Sequence, residues 1–172
     1  MKRNLRNMQE PTTNTHTSGN NVLDNETLEK LFSIQNKTLR QVTCYLWQNN
    51  INPQQSVELI DAIEFTFNDG DSIILSSDEN QTSLKSINLN YEQQKEYLQK
   101  EFSGKINLYK IDASSTKMWQ DVINHPLSGV KMTPHGKFYL ADELIFKFKN
   151  DEMRSVRVHP TDGIILDYYE EI

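Results

Sequence analysis

The stretch DAIEFTFNDGDSIIL, residues 61–75, decides the fold. Apolar residues alternate with polar ones through Ile63, Phe65 and Phe67, and Asn, Asp and Gly follow at once. Alternation with a period of two predicts a strand with one buried face, and the Asn-Asp-Gly cluster predicts a tight turn. We therefore expect a β-hairpin whose second arm is 72–77.

A similar stretch, DELIFKFKNDEMRSV, occupies residues 142–156. A shift of 81 residues places Phe146 on Phe65 and Phe148 on Phe67. The same alternation therefore predicts a second hairpin.

The segments before the two hairpins align with a shift of 88 residues, which places Leu127 on Leu39 and Val130 on Val42. The extra seven residues fall in the loop after Trp47, where insertions are tolerated. The sequence thus predicts a duplicated helix-strand-hairpin unit with a helical connection between the copies. The predicted boundaries are 24–89 and 114–169 for the two repeats and 90–104 for the connection. Asn90 is the predicted cap of the connecting helix, and the helix of the second repeat is predicted over residues 116–124.

Each repeat of about 60 residues has too little apolar surface to fold alone, so the two copies should pair. We expect one α+β domain, 22–172, that is antiparallel and strand-rich and has approximate twofold symmetry. It would form either two facing sheets or one curved sheet closing toward a barrel. Residues 1–21 are rich in Asn, Thr and Ser, and we expect them to be a disordered tail.

Charge is divided unevenly along the chain, whose net charge is -6. Residues 1–20 hold three basic residues and one acidic residue, so the remainder holds 15 basic and 23 acidic residues, a net charge of -8. An acidic body disfavours nucleic acid and anionic membranes and favours a protein partner with a basic surface.

Cys44 is the single cysteine, which excludes an intramolecular disulfide and fits a reducing compartment. Its spacing from Val42 and Leu46 predicts a buried thiol in the core. The sequence has neither an apolar signal region nor a run of 18 apolar residues, and we expect a cytoplasmic protein.

Motifs for catalysis, nucleotide binding or metal binding are absent from the sequence. Asp61 and Asp142 begin the two similar stretches and could form an acid/base pair, but binding of local backbone N–H groups is the favoured interpretation. A metal site that includes Asp162 or Glu143 lacks the usual ligand spacing. The histidines considered for it are His135 and His159, whereas His125, at a predicted helix end, is interpreted as complementing the helix dipole. We predict no enzyme activity, cofactor or metal.

The main difference between the repeats is the Asn- and Gln-rich loop after Trp47, residues 47–57. An aromatic ring beside adaptable amides suits recognition, although Trp47 could equally plug the end of the core. We predict a non-enzymatic protein-binding module of unknown oligomeric state. Its candidate binding residues are Trp47, Asn49, Asn50, Gln54 and Gln55.

The alternative prediction is a barrel-like binder of a small apolar ligand, held between the two repeats. Its lining would be Phe65, Phe67, Phe146 and Phe148. In general character, as a small acidic α+β chain, the protein resembles the immunity proteins of bacterial toxin systems. This compositional resemblance implies a cytoplasmic binding protein.

Overall fold

The computed structural model describes residues 21–172. The predicted disordered tail lies outside the described residues except for Asn21. Two helices and eleven strands follow in chain order: α1 (Asn25–Ser33), β1 (Leu39–Asn49), β2 (Val57–Phe67), β3 (Ser72–Ser77), β4 (Leu84–Ser86), α2 (Tyr91–Glu101), β5 (Ile106–Asp112), β6 (Leu127–Lys131), β7 (Pro134–His135), β8 (Phe138–Tyr139), β9 (Glu143–Phe148), β10 (Met153–His159) and β11 (Gly163–Tyr168).

Nine of these strands form one large, curled, mostly antiparallel sheet in the order β4-β3-β2-β11-β10-β9-β6. β1 also pairs with β2, and β5 pairs with β1. The single parallel contact joins β11 to β2 through Gly163 and Ile60. The predicted α+β class with an antiparallel, strand-rich sheet is confirmed.

The decisive hairpin is β2–β3, in which Phe65 pairs with Ile73. Gly70 has a φ of 90°, a left-handed conformation that glycine adopts without steric cost. The Phe67 N–H donates to the Asp71 carbonyl at 2.9 Å, which closes the turn. The second predicted hairpin is β9–β10, where Phe146 pairs with Arg154.

One large core lies between the sheet and the segments that cover its inner face. Phe65 stacks on Phe146 with ring centroids 4.6 Å apart and meets the edge of Trp119 at 5.3 Å. Cys44 is buried in this core, as predicted.

The helix predicted for residues 116–124 is wrong, because this segment forms consecutive turns. Two carbonyls that would accept helical hydrogen bonds bind side chains of the second half instead. The Lys117 carbonyl accepts from the Tyr168 hydroxyl at 2.7 Å, and the Met118 carbonyl accepts from Arg154 Nε at 2.5 Å. Tertiary contacts therefore override a short helical pattern.

A second, smaller core lies on the opposite face of β1, under α2. Asn90 caps α2 by accepting a hydrogen bond from the Gln93 N–H at 3.2 Å. Leu98 of α2 packs there against Tyr45 of β1 and Leu108 of β5. Neither helix in residues 21–172 has the length and apolar character needed to cross a membrane.

Candidate functional site

Three strands, β1, β2 and β5, form the first candidate surface, which we call the β1–β2–β5 unit. It comprises these strands and the connecting residues 50–56. Gln48 of β1 pairs with Glu58 on one side and with Asn107 on the other. The unit contains all five residues predicted for binding.

Trp47 lies in β1 rather than in the loop, between Leu59 of β2 and Leu108 of β5. Its half-buried side chain packs against the smaller core. Trp47 therefore contributes to packing, and its substitution would disturb the strands around it.

The asparagines of the loop mostly shape the loop itself. Asn49 Oδ1 accepts from the Ile51 N–H at 2.9 Å, and Asn50 Nδ2 donates to Gln48 Oε1 at 2.9 Å. Gln54 and Gln55 lie exposed in a short 3₁₀ turn, Pro53–Gln55. The loop therefore has a locally defined conformation with two glutamines at its surface.

Exposed apolar side chains are concentrated on the unit. Eight large hydrophobic residues are exposed in residues 21–172, and four belong to it. They are Ile51, Val57, Tyr109 and Ile111. Tyr109 and Ile111, each more than 40% exposed, share one face of β5 because successive side chains alternate. Sequence reasoning missed them, since β5 has no clean alternation.

A second candidate surface is a cavity of about 470 Å³ on the outer side of β1, β2 and β3, next to α2. We call it the aromatic groove. Its lining consists of Tyr45, Glu64, Ile74, Leu89, Asn90, Tyr91, Glu92 and Lys110. The rings of Tyr45 and Tyr91 are 5.9 Å apart at an angle of 47°.

Glu64 is anchored in the groove by Tyr45, whose hydroxyl donates to Glu64 Oε2 at 2.6 Å. Burial and then this hydrogen bond raise the pKa of Tyr45 well above its ordinary value. The Tyr45 phenol therefore stays protonated and acts as a hydrogen-bond donor. The Tyr91 hydroxyl donates to the Leu108 carbonyl at 3.2 Å.

The two aspartates considered as an acid/base pair occupy different environments. Asp61 is buried, and its carbonyl accepts from Ser76 Oγ at 2.7 Å. Asp142 is exposed, and its carbonyl accepts from the Val158 N–H at 3.0 Å. Both backbones thus bind a neighbouring strand.

The three histidines of residues 21–172 lie at the end of β10, before β6 and in β7. His159 Nδ1 accepts from the backbone N–H of Asp162 at 3.2 Å within a turn. His125 and His135 lie before β6 and in β7. Within residues 21–172, no group of three His, Cys, Asp or Glu side chains is arranged to hold a metal ion.

The four phenylalanines of the alternative prediction belong to the large core, and each is at most 2% exposed. Phe65 and Phe146 stack directly on each other instead of facing across a space. A ligand held between these rings therefore stays a prediction, and their packing does not favour it.

Comparisons of the chain with protein-family models, with curated proteins and with solved structures gave no match.

Proposed function

We propose that the protein is a non-enzymatic protein-binding module whose partner docks on the β1–β2–β5 unit. The observation that carries the proposal is the exposed apolar face of β5, formed by Tyr109 and Ile111, on a unit that holds four of the eight exposed large hydrophobic side chains in residues 21–172. Clusters of exposed apolar residues on a polar surface are typical of interaction sites.

The free edge of β5 supports the same surface. Among the strands of residues 21–172, β5 pairs with β1 alone. The Leu108 carbonyl accepts from Tyr91, so it points away from β1, and the alternation of strand backbones directs Lys110 and Asp112 to the same edge. An extended segment of a partner could add a strand at this edge.

Charge indicates the kind of partner. The net charge of -8 on the chain after residue 20 would steer a basic protein toward the module. Long-range attraction of this type raises the association rate and weakens with salt.

We also infer that the domain is a duplication with approximate twofold symmetry, and the strand registers support this. Val42 pairs with Phe65, and the residues 88 and 81 positions later, Val130 and Phe146, pair as well. Each of these pairings lies next to a break in the strand register. The break falls between Leu39 and Gln41 in β1 and between Leu127 and Gly129 in β6.

The contacts between the proposed repeats are reciprocal. The Asn36 N–H donates to the Leu127 carbonyl at 2.8 Å, and the Asn124 N–H donates to the Leu39 carbonyl at 2.8 Å. Both asparagines have positive φ, 65° and 66°. An experimental structure in which residues 36–43 and 124–131 are related by a rotation far from 180° would contradict the symmetry.

Under this interpretation α2 and β5 are additions to the first repeat, because they lie between the two units in sequence. Function is often carried by such variable additions on a rigid scaffold. The docking surface includes β5, and the aromatic groove includes residues of both α2 and β5.

The test of the docking proposal is a quantitative capture experiment with the full chain as bait in a lysate of its source. Tyr109→Ser and Ile111→Ser together remove the apolar face of β5, whereas Phe138→Ser removes an equally exposed ring on β8. We expect a stoichiometric protein to be retained by the unmodified chain and by the Phe138→Ser control.

The same protein should be lost from the β5 variant and released by moderate salt. Equal retention by the β5 variant, or an empty capture by the unmodified chain, would overturn the proposal. Trp47→Ala is a poor test because this ring packs against the smaller core.

A further inference from the structure

We propose that the aromatic groove binds an organic cation, an alkylammonium or a guanidinium group. The cation could belong to a Lys or Arg side chain of a polypeptide or to a free small amine. The inference stands apart from the docking proposal, because the groove lies on the α2 side of the sheet and Tyr109 and Ile111 lie on the other.

Glu64 is the first reason. Its carboxylate is half-buried, and its one side-chain hydrogen bond within residues 21–172 is the contact with Tyr45. No Lys, Arg or His nitrogen of this part of the chain lies within 4.0 Å of the Glu64 or Glu92 carboxylate oxygens. A partly desolvated carboxylate without a counter-charge is stabilised by a bound cation.

The tyrosine rings are the second reason. Aromatic faces attract ammonium and guanidinium groups within about 6 Å of the ring centroid. The chain's own lysines lie at such distances, with Lys110 Nζ 6.0 Å from the Tyr45 centroid and Lys95 Nζ 5.7 Å from the Tyr91 centroid. Each ring therefore already attracts a cationic group of the chain, which a ligand cation would displace or join.

The net charge of the lining favours a cation over an anion. Glu64 and Glu92 oppose one lysine, Lys110, so the lining carries a net charge of -1. Ile74 and Leu89 supply the apolar surface that an alkyl stem would contact. The volume of about 470 Å³ falls in the usual range for small-ligand sites.

Lys110 acts as an internal competitor in this arrangement. It lies exposed on the edge strand β5, so its side chain can leave the Tyr45 face when a ligand cation arrives. Removal of the Lys110 charge should therefore strengthen binding.

The test is a titration of the uniformly ¹⁵N-labelled full chain followed by two-dimensional NMR. N-acetyl-arginine amide represents an arginine within a polypeptide, and n-butylguanidine, with the same single charge, represents a free small organic cation. N-acetyl-citrulline amide is the uncharged isostere of the first probe. We expect both cations to shift the amide signals of Tyr45, Glu64, Ile74 and Tyr91, and the isostere to shift none of them.

Two carboxylate variants and a matched control test whether the negative charge of the groove holds the cation. Glu64→Gln should weaken binding about tenfold or more, because it removes a charge-assisted hydrogen bond but retains an acceptor for Tyr45. Glu92→Gln, at an exposed residue, should weaken binding about two- to threefold. Glu58→Gln, on the same strand as Glu64 but outside the groove, should leave binding unchanged.

Lys110→Gln should strengthen binding about two- to threefold, the effect of one exposed charge. Tighter binding of N-acetyl-arginine amide than of n-butylguanidine identifies a polypeptide ligand, and the reverse identifies a free small cation. The proposal fails if the isostere binds as well as the cations or if millimolar cation leaves these signals in place. Equal binding by the unmodified chain and both carboxylate variants would also overturn it.

Discussion

Phe146→Ala is the substitution that tests the large core most directly. The Phe146 ring is 1% exposed and stacks on Phe65 at 4.6 Å. Phe146 belongs to β9, and Phe65 belongs to β2. Removal of the Phe146 ring therefore eliminates a contact between the two halves of the sheet.

The expected cost follows from burial and from the ring pair. Replacement of a buried Phe by Ala costs about 3–5 kcal/mol, because apolar contacts are lost and a cavity remains. About 0.5–1.5 kcal/mol of this belongs to the aromatic contact with Phe65. For a domain of this size the midpoint of thermal unfolding should fall by about 6–20 °C, at about 2–4 °C per kcal/mol.

The assay is urea unfolding followed by tryptophan fluorescence, since Trp119 touches Phe65 at 5.3 Å and reports on the same core. Phe146→Leu separates the contribution of the aromatic contact from that of apolar burial, because Leu retains most of the apolar volume. This variant should cost less than about 1.5 kcal/mol. Phe138→Ala is the surface control and should change the free energy of unfolding by less than about 0.5 kcal/mol. A loss below about 1 kcal/mol for Phe146→Ala, or a loss equal to that of Phe138→Ala, would refute this description of the core.

Three further predictions concern the cap of α1, an exposed ion pair and the single thiol. Asp24→Ala should lower the free energy of unfolding by about 1 kcal/mol, because Asp24 Oδ1 accepts from the Thr27 N–H at 2.7 Å, and Asp24→Ser should restore most of it in the same urea assay. The hydrogen bond from Lys37 lowers the pKa of Asp69 in the folded chain, so the ionised Asp69 carboxylate stabilises the fold at pH values above its unfolded pKa. This stabilisation is lost as pH falls through the folded pKa of Asp69. Asp69→Asn should therefore flatten the acid limb of a profile of stability against pH, and an unchanged limb would contradict this. Burial raises the pKa of the Cys44 thiol to about 11, so a disulfide reagent should label it at neutral pH only after denaturant is added, whereas rapid labelling of the folded chain would place it at the surface.

The parts of the fold that the sequence predicted are those set by local patterns. Alternation through Phe65 and Phe67 specified a strand, and the same alternation specified β9. Asn90 was recognisable as a helix cap because its side chain acts on the adjacent turn. Segment 116–124 was mispredicted because the groups that bind its carbonyls, Arg154 and Tyr168, are more than 30 residues away.

The aromatic groove could not be predicted, because four of its lining residues come from four different elements of secondary structure that only the folded chain brings together. Tyr45 belongs to β1, Glu64 to β2, Tyr91 to α2 and Lys110 to β5. One feature of the sequence pointed to the groove. Tyr45 and Trp47 lie on the face of β1 opposite Val42 and Cys44, and aromatic residues on a second face of a strand indicate that another element covers that face. The sequence did not say that α2 would be the cover.

The two proposals for this end of the molecule can be separated because β5 presents different residues on its two faces. Tyr109 and Ile111 lie on the face away from α2, whereas Lys110 lies on the groove side between them. Side chains of a strand alternate, so a substitution on one face leaves the other face in place. If the variant with Tyr109→Ser and Ile111→Ser loses the protein partner but still binds the cation, docking takes place on the Tyr109 face. Loss of both activities in the Glu64→Gln variant would instead indicate one shared surface, in which a partner's basic side chain fills the groove while its backbone pairs with the edge of β5.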